Sequence, residues 1–264
     1  MKKITQVSLR QFYNEIYYIL SETDTNVINV WWEISEISFF NQFNLLEVRN
    51  FLENFDFIWL QKGNYQNYVV LNKILFIIET ISVLKLDIRK FSELLNYDGF
   101  EALVEEILSR NGYFTIKNLR FTDKSNFKSK TSQKRYEIDV VGIYLKYVLL
   151  IDSKQWKRKN SFSSIDKAAD LQYQRAIALK KNLEIFSKII QDSIGTKIDI
   201  KKRLPFLLIP LIVTFEDNSI KLNNNQIPLV SIYELNSFIQ ELHNNLSYFK
   251  VVKINKLSIQ KKLL

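Results

Sequence analysis

Four charged residues, Glu101, Asp139, Asp152 and Lys154, stand in or beside runs that are otherwise apolar. Asp152 closes the run Lys146-Tyr147-Val148-Leu149-Leu150-Ile151, and Lys154 follows two residues later. Residues two apart on a strand share a face, so this carboxylate and ammonium point the same way. Asp139 lies inside a second β-rich run, Tyr136-Glu137-Ile138-Asp139-Val140-Val141-Gly142-Ile143, a short turn before the first. The two runs predict a hairpin that sets Asp139 on the strand beside Asp152 and Lys154. Two carboxylates and one ammonium on an apolar sheet are costly unless a cation and hydrogen bonds compensate them. A hard, oxygen-seeking ion such as magnesium meets that need, and the chemistry it supports is hydrolysis assisted by the ion.

Spacing alone carries little weight. With these numbers of acids and lysines, acid-x-Lys triplets arise by chance about three times, and Asp199-Ile200-Lys201 is another example. Context separates the two. Asp152 ends an apolar strand, whereas Asp199 opens the basic loop Lys201-Lys202-Arg203.

The elements around the hairpin must position these groups. Phe100, Leu103, Val104, Ile107 and Leu108 form one apolar stripe and predict a helix, after which Gly112 suits the left-handed capping position and Tyr113 starts a strand. Glu101 lies about 100° from Phe100 on the wheel and borders the buried stripe. The residues leave two roles for it, a site ligand or the partner of Asp98 in a capping box. Beyond the hairpin, the loop Trp156-Lys157-Arg158-Lys159-Asn160 leads to a long helix, with Ser163 and Asp166 at capping spacing. Its inward face carries Ala169, Gln172, Tyr173 and Ala176, so Gln172 either bonds to backbone or serves the site. Strands over 206–215 and 229–230 follow, then a helix capped by Ser231 with Glu234. His243, the only histidine, reads as a surface residue without histidine chemistry.

The first part of the chain has a different pattern. Leu9, Phe12, Tyr13, Ile16, Tyr17 and Leu20 predict a helix over 8–21, and further helices are expected over 27–37 and 44–55. Asn44 and Glu47 form a capping box for the third, whose outer face offers Arg49 and Asn50. Strands over 57–60 and 65–71 flank a turn at Gly63, and helices over 74–83 and 88–95 follow. Three helices and then a hairpin is the order of a winged helix, and residues 31–71 resemble winged helix-turn-helix domains, many of which bind DNA through the third helix while others bind protein.

Residues 1–90 carry 9 Lys/Arg and 10 Asp/Glu, and residues 91–264 carry 28 and 18, so the net charge of +9 belongs to the second part. A field of that sign draws in polyanions, nucleic acid above all, although a solvated basic surface has the same composition. Residues 117–135 form a basic, serine-rich stretch expected to be a mobile loop or hairpin. The absence of cysteine excludes disulfides and thiolate metal sites, and suits a reducing, cytoplasmic location. The opening residues lack the apolar core of a signal peptide, and no apolar run approaches the roughly 20 residues of a membrane span. A soluble protein is expected.

Taken together, Phe100-Glu101, Gly112-Tyr113, Glu137-Ile138-Asp139-Val140-Val141-Gly142 and Leu150-Ile151-Asp152-Ser153-Lys154 make residues 98–234 resemble the PD-(D/E)XK nuclease superfamily, especially its restriction-endonuclease-like and archaeal Holliday-junction-resolvase-like branches. The resemblance implies an α/β nuclease domain over 91–264, with an α-β-β-β-α-β core and a central mixed sheet flanked by helices. A mainly helical, winged-helix-like domain with a linking helix would precede it over 1–90. It further implies that Asp139, Asp152 and the Ser153 carbonyl hold one or two magnesium ions, for which manganese substitutes, with Glu101 assisting from the first helix. Lys154 would stabilise developing charge or orient the attacking water, and Gln172 corresponds to a glutamine that some members carry. Aspartate stands at 152 in place of the commoner glutamate, and Ala176 stands where a tyrosine often follows the glutamine. Lys128, Lys130, Lys134, Arg135, Lys157, Arg158 and Lys159 would grip the phosphate backbone, and Arg49 would add a contact from the first domain. The implied activity is hydrolysis of DNA, of restriction or repair type. A non-cleaving DNA-binding or scaffold protein of the same fold and a nuclease acting on RNA are the alternatives, and a homodimer is left open.

Overall fold

The structure, a computed structural model, describes residues 6–122, 135–154, 162–194, 200–215 and 221–258. The chain divides into two compact units, residues 1–103 and 104–264. That division falls inside a helix, whereas the charge pattern changes near residue 90.

In the first unit, α1 (Gln6–Ser21) is followed by β1 (Asn29–Glu33), α2 (Leu45–Leu52), β2 (Ile58–Lys62), β3 (Asn67–Asn72), α3 (Lys73–Leu84) and α4 (Ile88–Leu94). The helix expected over 27–37 is therefore a strand followed by a 3-10 turn at Ile34–Glu36. Val30-Trp31-Trp32 favours a pleated surface, and β1 pairs along its length with β3, from Asn29↔Asn72 to Glu33↔Tyr68. The three strands are ordered β1-β3-β2. The capping box of α2 forms as expected, with Asn44 Oδ1 accepting the Glu47 N–H and Glu47 returning a carboxylate oxygen to the Asn44 N–H. Phe12 is fully buried at the centre of an aromatic core that includes Phe40, Phe51 and Phe57.

The helix α5 (Tyr97–Arg110) spans the division between the units. Its start is capped by Asn96, whose Oδ1 accepts the Gly99 N–H at 2.8 Å, so Asp98 is not the cap. At its end, Gly112 takes a left-handed φ of 78° and the Tyr113 N–H reaches back to the Leu108 carbonyl, which closes the helix as its glycine predicts.

The second unit is a mixed α/β domain. Six strands form one sheet, β4 (Phe114–Thr122), β5 (Arg135–Tyr144), β6 (Tyr147–Lys154), β7 (Phe206–Thr214) and β8 (Leu229–Ser231) in that spatial order, with β9 (Val252–Ile254) on the near part of β7. β4, β5 and β6 pair antiparallel, while β6, β7 and β8 run parallel. Parallel strands need a covered crossover, and α6 (Phe162–Lys181) with α7 (Leu183–Ile194) supplies it between β6 and β7. β6 is buried on both faces along nearly its whole length, as a central strand must be. Residues 117–122, in the stretch expected to be a mobile loop or hairpin, belong to β4, and Arg135 opens β5 opposite Thr122, the antiparallel pairing of the hairpin alternative. The helix α6 starts at Phe162, one residue before the expected Ser163 cap. The last helix, α8 (Leu235–Asn245), is not capped by Ser231, which ends β8, and Glu234 binds Lys221 instead.

Candidate active site

The sheet forks where the charged residues lie. β5 and β6 pair from Tyr144↔Tyr147 up to Val140↔Ile151, and β5 then continues with β4 as far as Arg135. Asp139 and Asp152 are the first residues past that last pair. Asp139 Oδ2 accepts the Ser153 backbone N–H at 2.7 Å, so a side chain takes over the acceptor role that the ladder gives up. On its other side, the β4–β5 register passes from Lys117↔Val140 to Leu119↔Ile138, and the residue between, Asn118, has a left-handed φ of 51°.

Asp152 is buried, with 1% of its surface exposed, at the C-terminal end of a parallel strand, the edge at which open α/β sheets commonly carry their sites. Lys154 Nζ stands 3.0 Å from Asp152 Oδ2, and Arg175 Nη1 stands 2.7 Å from Asp152 Oδ1. The same Arg175 nitrogen donates to Gln172 Oε1 at 2.8 Å. The predicted two-residue face of β6 thus holds, and the helix glutamine joins it through an arginine. Gln172 is fully buried, and its partner is a side chain rather than backbone.

Helix packing explains how Gln172 and Arg175 reach the strand. Ala169 and Ala176, at i−3 and i+4 from Gln172, are fully buried, and small side chains let the helix lie close to the sheet. Ala169 packs with Ile165, Ile212, Ile227 and Leu229, and Ile212 is the register partner of Asp152 on β7. Arg175 was not among the residues singled out from the sequence. Its signal was a basic residue three positions after a polar residue on an apolar helix face, the spacing at which helix side chains meet.

The remaining candidates divide by location. Glu101 is buried on α5. Arg49 is exposed on α2 and lies 3.7 Å from Glu53, and Arg135 is exposed at the start of β5. Lys128, Lys130, Lys134, Lys157, Arg158, Lys159 and the comparison residue Asp199 lie outside the described residues. His243 is exposed, as expected, and its Nδ1 shares a 2.7 Å hydrogen bond with the Tyr147 hydroxyl.

Among the described residues, no three His, Asp or Glu side chains form a group that could hold a metal ion. The pair Asp139 and Asp152 nevertheless fits a magnesium-like ion in donor chemistry, because such ions are commonly held by one or two carboxylates, with water and phosphate oxygens completing the shell. Each carboxylate also has about four lone-pair positions, so an oxygen already facing an arginine or lysine can accept a further partner. No helix among the described residues is long and apolar enough to cross a membrane.

No protein-family model matches the chain, and no curated protein matches it. Among solved structures, the crystal structure of protein VC1899 from Vibrio cholerae aligns with 92% of this chain and 55% of its own, at 12% identity and a TM-score of 0.31. The chain therefore spans little more than half the length of that protein.

Proposed function

We propose that this protein is a divalent-metal-dependent nuclease of the PD-(D/E)XK type that hydrolyses phosphodiester bonds in DNA. The observation that carries the reading is the pair of buried carboxylates at the fork between β5 and β6, with Lys154 on Asp152. Burying Asp152 needs compensation, and a fold selected only for stability is served as well or better by apolar residues there. The order α5, β4, β5, β6, α6, β7, with α7 added between α6 and β7, supports the reading because it matches the core order of that superfamily.

Asp139, Asp152 and the Ser153 carbonyl are the groups that would hold magnesium or manganese, which when bound supplies positive charge to the scissile phosphate and lowers the pKa of the attacking water. Asp139 is fixed for this by the Ser153 N–H, and Asp152 by its two cationic neighbours. Lys154, with about a quarter of its side chain exposed, reaches from the carboxylate toward solvent and carries the charge that meets developing negative charge on phosphate. The basic residues of the second part supply sequence-independent attraction to the backbone. In the first unit, the order of α2 and the β2–β3 hairpin supports the winged-helix reading, in which Arg49 on α2 would add a phosphate contact.

Both Asp152 oxygens face a cation in this structure, which is also the arrangement a non-cleaving DNA-binding protein of the same fold would keep. A cleavage assay separates the two readings. Single-stranded, duplex and branched DNA and RNA are incubated with magnesium, manganese, calcium or excess chelator. Cleavage of DNA with magnesium or manganese, and none with calcium or chelator, is expected, because calcium's larger and looser shell supports binding without in-line hydrolysis. Undiminished cleavage in chelator overturns the metal mechanism, and no cleavage of any substrate leaves the binding protein.

A further inference from the structure

The cluster around Asp152 has more donors than acceptors. One carboxylate charge faces two cations, Lys154 and Arg175. Arg175 spends a single nitrogen, Nη1, on both Asp152 Oδ1 and Gln172 Oε1. The bonds of Arg175 to the described residues run through Nη1, which leaves its Nη2 and Nε for a further partner. Because Gln172 Oε1 must face the guanidinium donor, the orientation of the amide is set and its NH2 group points away. That Nε2 is buried without a hydrogen-bond partner among the described residues. An unmet buried donor is rare and costly in a folded protein, and here it stands beside a guanidinium with unused donors.

Two carboxylates, Asp139 and Asp152, balance the two cations in charge, but the unmet donors of Arg175 and Gln172 call for a further oxygen acceptor. A tetrahedral phosphoryl group suits a guanidinium fork, which takes two oxygens at once, and leaves an oxygen for a neighbouring amide. We propose that Arg175 and Gln172 form an oxyanion-binding pair for a non-bridging oxygen of the substrate phosphate, with Arg175 also holding Asp152 in place. Naming the anion as a phosphodiester rests on the nuclease reading, whereas the anion site itself rests on the donor arrangement alone. Gln172 is then a binding residue, and Arg175 both binds the anion and positions Gln172.

The test titrates the full chain with inorganic phosphate in the presence of chelator, at constant ionic strength set by chloride. The readouts are the 1H–15N signal of the Gln172 side-chain amide, identified by its loss in Gln172→Leu, and the thermal midpoint. In the wild type the amide signal is expected to move saturably and the midpoint to rise. Arg175→Lys keeps a cation for Asp152 but lacks the fork, and should weaken phosphate at least tenfold. Gln172→Leu should lose most of the phosphate-induced rise. A Gln172 amide that ignores phosphate in the wild type overturns the proposal even if a variant fails to fold, as does an equal response in all three proteins. An amide that responds in a protein that cleaves no DNA sinks the nuclease reading and leaves the anion pair standing. DNA cleavage with a silent amide does the reverse.

Discussion

Asp139 and Ser153 tie together two strands that have just stopped pairing: Asp139 Oδ2 accepts the Ser153 N–H at 2.7 Å, one step past the last register pair, Val140 and Ile151. This bond makes Asp139 a structural residue as well as a proposed ligand, and two substitutions separate the roles. Asp139→Asn keeps an oxygen that can accept the Ser153 N–H, so it should fold with a thermal midpoint near the wild type and lose metal-dependent cleavage. Asp139→Leu leaves a buried N–H without its acceptor and should cost about 1–3 kcal/mol. Chemical denaturation of both variants, with cleavage measured on Asp139→Asn, checks this. Equal destabilisation by the two would mean that the charge, and not the hydrogen bond, holds the fork.

Gly142 sets how closely α5 approaches β5. A Cβ placed there meets Leu108 Cδ1 at 3.0 Å and Tyr113 Cδ1 at 3.1 Å. Gly142→Ala is therefore expected to destabilise the second unit by about 1–3 kcal/mol, the range for overpacking a filled core. Adding Leu108→Ala should recover part of that loss, so the double variant is less destabilised than the sum of the two. Strict additivity in urea unfolding would contradict the contact.

The alkaline pH profile of the first unit follows from Lys73, Tyr13 and Tyr17. Lys73 is fully buried and donates to the Asp24 carbonyl at 2.9 Å. Burial lowers its pKa from 10.5 to about 8, with Asp24 opposing the shift. Between those values the unfolded chain binds the proton that the folded one has released, so stability rises with pH across the window and is flat in this respect below it. Burial, reinforced by Glu79 and Glu93, raises the Tyr13 and Tyr17 hydroxyls above their ordinary value of 10.0. Above pH 10 the folded state therefore holds more protons than the unfolded one, and stability falls. Thermal unfolding from pH 7 to 11 should show a maximum between the two limbs, and Lys73→Met should flatten the rising one. A rising limb of unchanged slope in Lys73→Met would assign it to another group.

Much of the second unit was legible because its signals are local. The strand pair around Asp139 and Asp152, the left-handed Gly112 and the apolar stripe of α5 each depend on residues near in sequence. The strand at Asn29–Glu33 has a helical pattern in its own sequence, and its conformation is decided by pairing with β3, some forty residues on, which no short window contains. Asp98 lost the cap of α5 to Asn96 because the helix starts one residue before it. Arg175 was missed for a related reason. Its role exists only once α6 is laid across β7 and brings the guanidinium to Asp152, a contact between residues 23 apart.

In the proposed reaction, hydrolysis of DNA runs through Asp152 with help from Lys154. Single-turnover cleavage with saturating magnesium, on whichever DNA the wild type cuts best, tests it most directly when Asp152→Asn and Lys154→Ala are compared with the wild type and circular dichroism verifies folding. Asp152→Asn is expected to lose cleavage by at least about a thousandfold, the scale on which stabilisation of transition-state charge is lost, while DNA affinity holds or rises because a negative charge near the phosphates is gone. Lys154→Ala should lose cleavage comparably while calorimetric magnesium binding survives. A folded Asp152→Asn that cuts DNA at the wild-type rate would move the active site away from this strand.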